Sequence, residues 1–181
     1  MPVNKRCYCG SNKNFTDCCQ PFINKKALPQ TPEQLMRSRF SAYAIGNAQY
    51  IYDTYASSSQ LAQSVEDISD WGDSCTWLAL QIHSINQGNV AKNEVCEQFV
   101  EFSAFYITDN ILYELRENSR FILEQDQNNK NAEKTWCYID GDIIEHGELS
   151  IIKRKDTCPC NNYPTTWVVN KAKKFKQCCG K

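Results

Sequence analysis

Eight of the eleven cysteines fall into two groups with the same arrangement, in which two cysteines one residue apart precede a spacer and two adjacent cysteines. The groups are Cys7, Cys9, Cys18 and Cys19 near one end and Cys158, Cys160, Cys178 and Cys179 near the other. Four thiolates suit the tetrahedral all-sulfur shell of a closed structural zinc site. The pattern therefore predicts two zinc ions per chain, although thiolate shells also accept iron.

The two spacers differ in length and composition. Residues 10–17 form a spacer of eight residues that begins with the turn formers Gly-Ser-Asn, whereas residues 161–177 form a spacer of seventeen that begins Asn-Asn. Lengthening a loop in this way costs about 0.7 kcal/mol of closure entropy, whereas structural zinc contributes on the order of 10 kcal/mol. The longer spacer does not exclude metal, but the sequence leaves open whether the second group is filled.

Disulfides and redox chemistry are the alternative uses of these cysteines. Disulfides belong to exported proteins, but adjacent cysteines rarely bridge each other, and the first ten residues lack the apolar region of a signal peptide. Redox-active dithiols usually have C-x-x-C spacing, which does not occur here. We favour zinc and expect a cytoplasmic protein without a membrane span. The isolated Cys75, Cys96 and Cys137 are predicted to be small buried hydrophobic residues.

Charge divides the chain into three parts, although the net charge of the whole is only −1. Residues 1–26 hold five Lys and Arg against one Asp, and residues 153–181 hold eight against one, so residues 27–152 carry −12. We predict an N-terminal zinc module, a central domain and a C-terminal zinc module with these bounds. The basic ends either offset the negative zinc–thiolate centres or contact an acidic or nucleic-acid-bearing surface.

The central part is predicted to form helices first and strands later. Thr31 can cap a helix that starts at Pro32, with Gln34 at the capping-box position and Gly46 at the stop. Further helices are predicted over 48–55 and 65–71, and β-branched and aromatic residues predict strands over 77–85, 95–107, 111–124 and 135–140. Short connections favour an antiparallel sheet. This α+β order predicts helices packed on one face of a curved sheet that encloses a cavity.

Several segments resemble known proteins. Residues 7–19 resemble the SEC-C motif, a zinc-binding tail best known from the preprotein translocase motor. Both cysteine groups, taken with 35–43 (Leu-Met-Arg-Ser-Arg-Phe-Ser-Ala-Tyr), 119–121 (Ser-Arg-Phe) and 136–141 (Trp-Cys-Tyr-Ile-Asp-Gly), are similar to the bacterial YchJ family. The resemblance implies a cone-shaped domain of the nuclear transport factor 2 fold between two SEC-C modules. It implies no assigned activity; by analogy with the translocase, it suggests docking to a protein or ribosomal partner.

The sequence contains no recognisable catalytic constellation, so an enzyme is not the favoured interpretation. The first hypothesis is a zinc-binding adaptor that docks a protein or ribosomal partner; direct nucleic-acid binding has little support. The alternative is small-ligand binding or catalysis in the central cavity, where Arg37, Arg39 and Arg120 are candidates to bind an anionic ligand. These arginines could equally form ordinary ion pairs. Of the two histidines, His83 is expected to be structural and not a general base.

Overall fold

The computed structural model describes residues 6–88, 96–125, 133–163 and 172–180, in which helices precede a four-stranded sheet. The helices are α1 (Gln20–Ile23), α2 (Pro32–Ala44), α3 (Ala48–Asp53), α4 (Ser57–Gln60) and α5 (Val65–Ser74). The strands are β1 (Thr76–Gln87), β2 (Glu97–Thr108), β3 (Ile111–Glu124) and β4 (Thr135–Ile151). Short 3-10 turns lie at Phe15–Asp17, Pro159–Asn162 and Phe175–Gln177. The predicted α+β order is confirmed.

Helix α2 begins at the predicted cap. The Thr31 side chain accepts a hydrogen bond from the backbone N–H of Gln34 at 3.2 Å. The Gln34 side-chain oxygen accepts in return from the backbone N–H of Gln30 at 2.7 Å, one residue before the position that a capping box predicts. Two otherwise unpaired backbone donors are thus satisfied at the start of the helix.

Gly46 ends α2 as predicted, because its φ of +71° lies in the left-handed region that costs other residues free energy. The N–H of Gly46 donates to the carbonyl of Tyr43, and that of Asn47 donates to the carbonyl of Ala42. This pair of hydrogen bonds forms a Schellman motif.

The sheet is an antiparallel meander in the order β1-β2-β3-β4. Asp109 and Asn110, both at positive φ, form the predicted tight turn between β2 and β3. β4 runs well beyond the predicted end at residue 140, since the chain continues to pair with β3 as far as Ile151 opposite Ile111. The glycine at position 141 and the charged residues after it concealed this extension. Helix α4 was not predicted, because its sequence Ser-Ser-Ser-Gln has no apolar period.

Each face of the sheet packs against another part of the chain, although the second half of β4 is largely exposed. The concave face packs on α2 through a core of Leu35, Met36, Phe40, Trp77, Leu80, Val100, Phe102, Ala104, Tyr106, Phe121 and Trp136. The other face packs on the C-terminal cysteine segment through Leu78, Ala79, Phe105, Ile107, Leu112, Ile152, Cys158, Cys160 and Phe175. The alternation of side chains along β1 and β2 thus serves two separate cores. In the described part of the chain, no helix has the length and apolar character needed to cross a membrane.

We predict that Gly46→Ala lowers the free energy of unfolding by about 1 kcal/mol, because alanine at this positive φ strains the end of α2. Gly147→Ala is the matched control, since a Cβ there meets no atom within 4 Å and its φ is ordinary. Urea unfolding followed by tryptophan fluorescence measures the free energy of unfolding of both variants. Equal stability of the two variants would contradict the role given to Gly46.

Candidate metal centres

The four sulfur atoms of Cys7, Cys9, Cys18 and Cys19 lie within 4.8 Å of one another. The Sγ of Cys18 lies 3.7 Å from that of Cys9 and 3.9 Å from that of Cys19. A zinc–thiolate tetrahedron has sulfur–sulfur edges of about 3.8 Å, whereas a disulfide needs about 2.0 Å. All eleven cysteines are free thiols. The donor set of this N-terminal tetrad therefore fits a four-coordinate metal ion.

The backbone of the first spacer brings the two cysteine pairs together. Gly10 and Asn12 both have positive φ values and reverse the chain. The N–H of Cys7 then donates to the carbonyl of Lys13 at 2.8 Å, and the 3-10 turn Phe15–Asp17 leads directly into the second pair. Turn formers thus perform the closure that the sequence predicted.

The C-terminal tetrad repeats this backbone despite its longer spacer. The N–H of Cys158 donates to the carbonyl of Lys173 at 3.0 Å, and Ala172 takes the positive φ that Asn12 has in the first module. The 3-10 turn Phe175–Gln177 again precedes the second pair. Neighbouring sulfur atoms are 3.4 to 3.8 Å apart, and all four lie within 4.8 Å of one another. This tetrad also fits a metal ion.

Asn161 joins the two ends of the inserted segment. Its side-chain amide donates to the carbonyl of Cys158 at 2.8 Å, and its side-chain oxygen accepts from the N–H of Ala172 at 2.7 Å. From the sequence, Asn161 was noted only because it stands where the first spacer begins with Gly-Ser. Its role in joining the two ends of the longer spacer was not predicted. The preference of asparagine side chains for bonding nearby backbone was the available signal.

The thiols of each tetrad share protons. Hydrogen bonds from Cys19 and Cys7 lower the pKa of Cys9 to about 2, and those from Cys18, Cys7 and Cys9 raise the pKa of Cys19. In the C-terminal tetrad, burial raises the pKa of Cys160. Four adjacent thiolates repel one another, and a divalent metal would offset their charge while the protons are released. Four protein ligands leave no open coordination position, which is typical of a structural site.

Both tetrads are attached to the central domain by direct contacts. Arg37 on α2 donates from Nη1 to the carbonyl of Cys9 at 2.9 Å and pairs with Glu33 at 2.8 Å. The Sγ of Cys7 lies 3.7 Å from the hydroxyl of Ser41 on the same helix. Arg37 was predicted as a cavity residue, but it contacts the N-terminal module and does not line the cavity, because it points from a different side of α2 than Arg39 does.

A cavity of 340 Å³ lies between the helices and the concave face of the sheet. Arg39 lines this cavity. Arg120 does not, and it pairs with Asp140 at 2.8 Å and with Glu97 at 3.5 Å. The three arginines that the sequence singled out therefore lie in three different environments. Arg120 forms ordinary ion pairs. The cavity itself is open, as the small-ligand hypothesis requires.

The remaining candidates are His83 and the three isolated cysteines. His83 bonds to the hydroxyl of Ser103 at 2.8 Å, as expected of a structural histidine. The prediction that the isolated cysteines are buried is wrong, because Cys96 is exposed and Cys75 and Cys137 are only half-buried. Cys96 lies just before β2, whereas Cys75, just before β1, packs against the edge of the core.

Comparison with protein families matches residues 31–141 to a model described as the YchJ middle domain, which is NTF2-like. A UPF0225 protein of Vibrio cholerae is 36% identical over 177 residues, which are 96% of this chain and 99% of that protein. A UPF0225 protein of Enterobacter is 34% identical over 98% of this chain and 99% of its own length.

Two solved structures share the fold. One is the crystal structure of a SEC-C motif containing protein from Psychrobacter arcticus, with a TM-score of 0.65 and 24% identity over 96% of this chain and 94% of that one. The other is the solution structure of a SEC-C motif containing protein from Rhodopseudomonas palustris, with a TM-score of 0.64 and 24% identity over 77% of this chain and 99% of that one. At this identity the likeness shows the fold alone.

We predict about two equivalents of metal per chain in protein purified without chelator, and about one in either Cys18→Ser or Cys178→Ser, because each variant opens one tetrad. Elemental analysis by mass spectrometry measures the content. The control Cys96→Ser alters an exposed cysteine outside both tetrads and should keep both ions. A single equivalent in the unaltered protein, or two in Cys18→Ser, would contradict the assignment.

Proposed function

Because this chain belongs to the YchJ (UPF0225) family and carries a four-cysteine SEC-C-type module at each end, we propose that it is a cytoplasmic zinc-binding adaptor that docks a protein or ribosomal partner. The observation that carries the proposal is the repetition of one closed tetrad at both ends. In both modules the N–H of the first cysteine donates to a carbonyl across the spacer, and the residue before that carbonyl has a positive φ.

Zinc is the ion that this donor set favours. Four cysteine sulfurs in a closed, mostly buried cluster form the shell in which structural zinc is usually bound. Zinc carries no redox chemistry, which suits sites without an open position. The thiolates must stay reduced, and the cytosol provides that condition.

The surface charge of the modules supports docking. Zinc with four thiolates carries −2, but the C-terminal segment 153–181 has a net of +7 from its side chains. Lys173 and Lys174 precede the 3-10 turn Phe175–Gln177 of this module, Lys176 lies within it, and all three are exposed. Their charge exceeds what the metal centre needs, so the module presents a basic surface to an acidic or phosphate-bearing partner.

The open cavity favours a second function, which is the binding of a small molecule by the central domain. Its volume of 340 Å³ is near the lower end of the range of ligand sites, about 300 to 1,000 Å³. This function is separate from docking, since the cavity lies on the concave face of the sheet and the C-terminal module covers the other.

We predict that Lys174→Glu/Lys176→Glu lowers co-sedimentation of the zinc-loaded protein with purified ribosomes about tenfold at low salt, because the basic surface is reversed. Raising the salt concentration should weaken ribosome binding by the unaltered protein in the same assay.

Lys134→Glu serves as the matched control, since Lys134 is exposed but lies in the central domain, just before β4. It should bind ribosomes like the unaltered protein. If the double variant also binds unchanged, or if the unaltered protein does not sediment with ribosomes, the ribosomal form of the proposal fails.

A further inference from the structure

The cavity combines an aromatic wall with a small number of polar side chains. The wall consists of Phe40, Tyr43, Trp71, Trp77 and Phe102. Trp77 stacks on Tyr43 with ring centres 5.0 Å apart and meets Trp71 edge-on at 5.1 Å. The polar side chains of the lining include Arg39, Asp67, Glu117, Ser119 and Tyr138. Such a wall binds a flat apolar body, while the polar groups select its substituents.

Arg39 is a buried cation without a carboxylate partner among the described residues. It is only 4% exposed, and its Nη1 donates to the carbonyl of Ile51 at 2.8 Å and to the hydroxyl of Thr54 at 2.7 Å. Its guanidinium lies 4.6 Å from the ring centres of both Tyr55 and Tyr138. Neutral acceptors and ring faces hold the group in place but do not neutralise its charge. A desolvated charge of this kind favours an anion.

The free edge of Arg39 suits a carboxylate. Because Nη1 makes both hydrogen bonds, Nε and Nη2 keep their donors unused by the described residues. These two nitrogens form the planar fork that binds both oxygens of a carboxylate at once.

Glu117 is the second polar anchor of the cavity, and its charge is already stabilised. Its Oε1 accepts from the hydroxyl of Ser119 at 2.6 Å and from that of Tyr138 at 3.0 Å. A Cβ at Gly141 would overlap this carboxylate, so the glycine makes room for it. Within the described residues Oε2 has no hydrogen-bond partner, and it can accept from a donor on a ligand.

Three segments that the sequence analysis singled out meet at this cavity. Segment 35–43 supplies Arg39, segment 119–121 supplies Ser119, and segment 136–141 supplies Tyr138. The zinc modules use few of these residues. A ligand site in the central domain, which docking does not require, explains why the three segments meet.

We propose that the cavity binds a small flat carboxylate that also carries a hydrogen-bond donor, with its carboxylate on Arg39, its donor on Glu117 and its apolar body against the aromatic wall. This inference rests on the small-molecule function proposed above and is independent of docking. Glu117 Oε1 already accepts from two hydroxyls, whereas Nε and Nη2 of Arg39 are unused by the described residues, so Arg39 is the group that receives the carboxylate. Asp67 also lines the cavity, and its carboxylate accepts from the hydroxyl of Ser64. A cavity of 340 Å³ suits a molecule with a single ring.

The test uses four probes on the zinc-loaded full chain: 4-hydroxybenzoate, benzoate, phenol and benzylamine. Ligand-observed NMR titration measures the dissociation constant of each. We expect 4-hydroxybenzoate to bind at least about tenfold more tightly than phenol and benzylamine, because only it gains the charge-assisted contact to Arg39. Benzoate should fall between, since it lacks the donor for Glu117.

Two variants assign the contacts. Arg39→Met should raise the dissociation constant of 4-hydroxybenzoate about tenfold or more while leaving that of phenol nearly unchanged. Since Arg39 also holds Ile51 and Thr54, Glu117→Gln provides a second variant that keeps the size of the side chain. It should reduce the advantage of 4-hydroxybenzoate over benzoate. Arg116→Gln is the matched control, because Arg116 is adjacent on β3 but pairs with Glu101 and does not line the cavity.

The outcomes separate the ligand class from the cavity function. If phenol and benzylamine bind as tightly as the carboxylates, the cavity is a ligand site but the proposed ligand class is wrong. If none of the four probes binds at millimolar concentration, the cavity function itself fails and this inference fails with it. If Arg116→Gln weakens the binding of 4-hydroxybenzoate as much as Arg39→Met does, the assignment of its carboxylate to Arg39 is wrong.

Discussion

The convergence of four sulfur atoms at each end is the constraint on which both terminal modules depend. In the described residues, the modules contain short 3-10 turns, the four-residue helix α1 in the N-terminal one, and a few backbone hydrogen bonds of their own. Segments this small cannot bury enough apolar surface to offset the conformational entropy of folding. A metal ion bound by the four thiolates would supply the missing free energy. Metal binding would then be coupled to the folding of each module.

Helix α2 connects the N-terminal module to the cavity. Arg37 and Ser41 contact the cysteine segment, whereas Arg39, between them in sequence, lines the cavity. The 3.6-residue period of the helix places these positions on different sides. One helix, fixed by a threonine cap and a glycine stop, thus orients the metal module and the proposed ligand anchor relative to each other.

The C-terminal module has a different relation to the central domain. It covers the face of the sheet that the helices leave bare, and the ring of Tyr163 lies 4.3 Å from that of Phe105. An antiparallel sheet with both faces apolar needs a layer on each side. The module is thus a structural layer as well as a proposed docking surface, and its lysines remain on the outside.

The two cysteine tetrads, the cap and stop of α2, the order of helices and strands, and the tight turn at Asp109 and Asn110 could all be predicted from the amino-acid sequence. These features depend on residue type and on spacing over a few positions, so local chemistry is enough to identify them. Four features became visible in the folded chain alone: which arginine enters the cavity, how far β4 extends, that Asn161 closes the longer spacer, and that Glu117 lies at the cavity. Each of these depends on contacts between residues far apart in the chain, where the position of a side chain is set by the packing of other elements and not by its own neighbours in sequence.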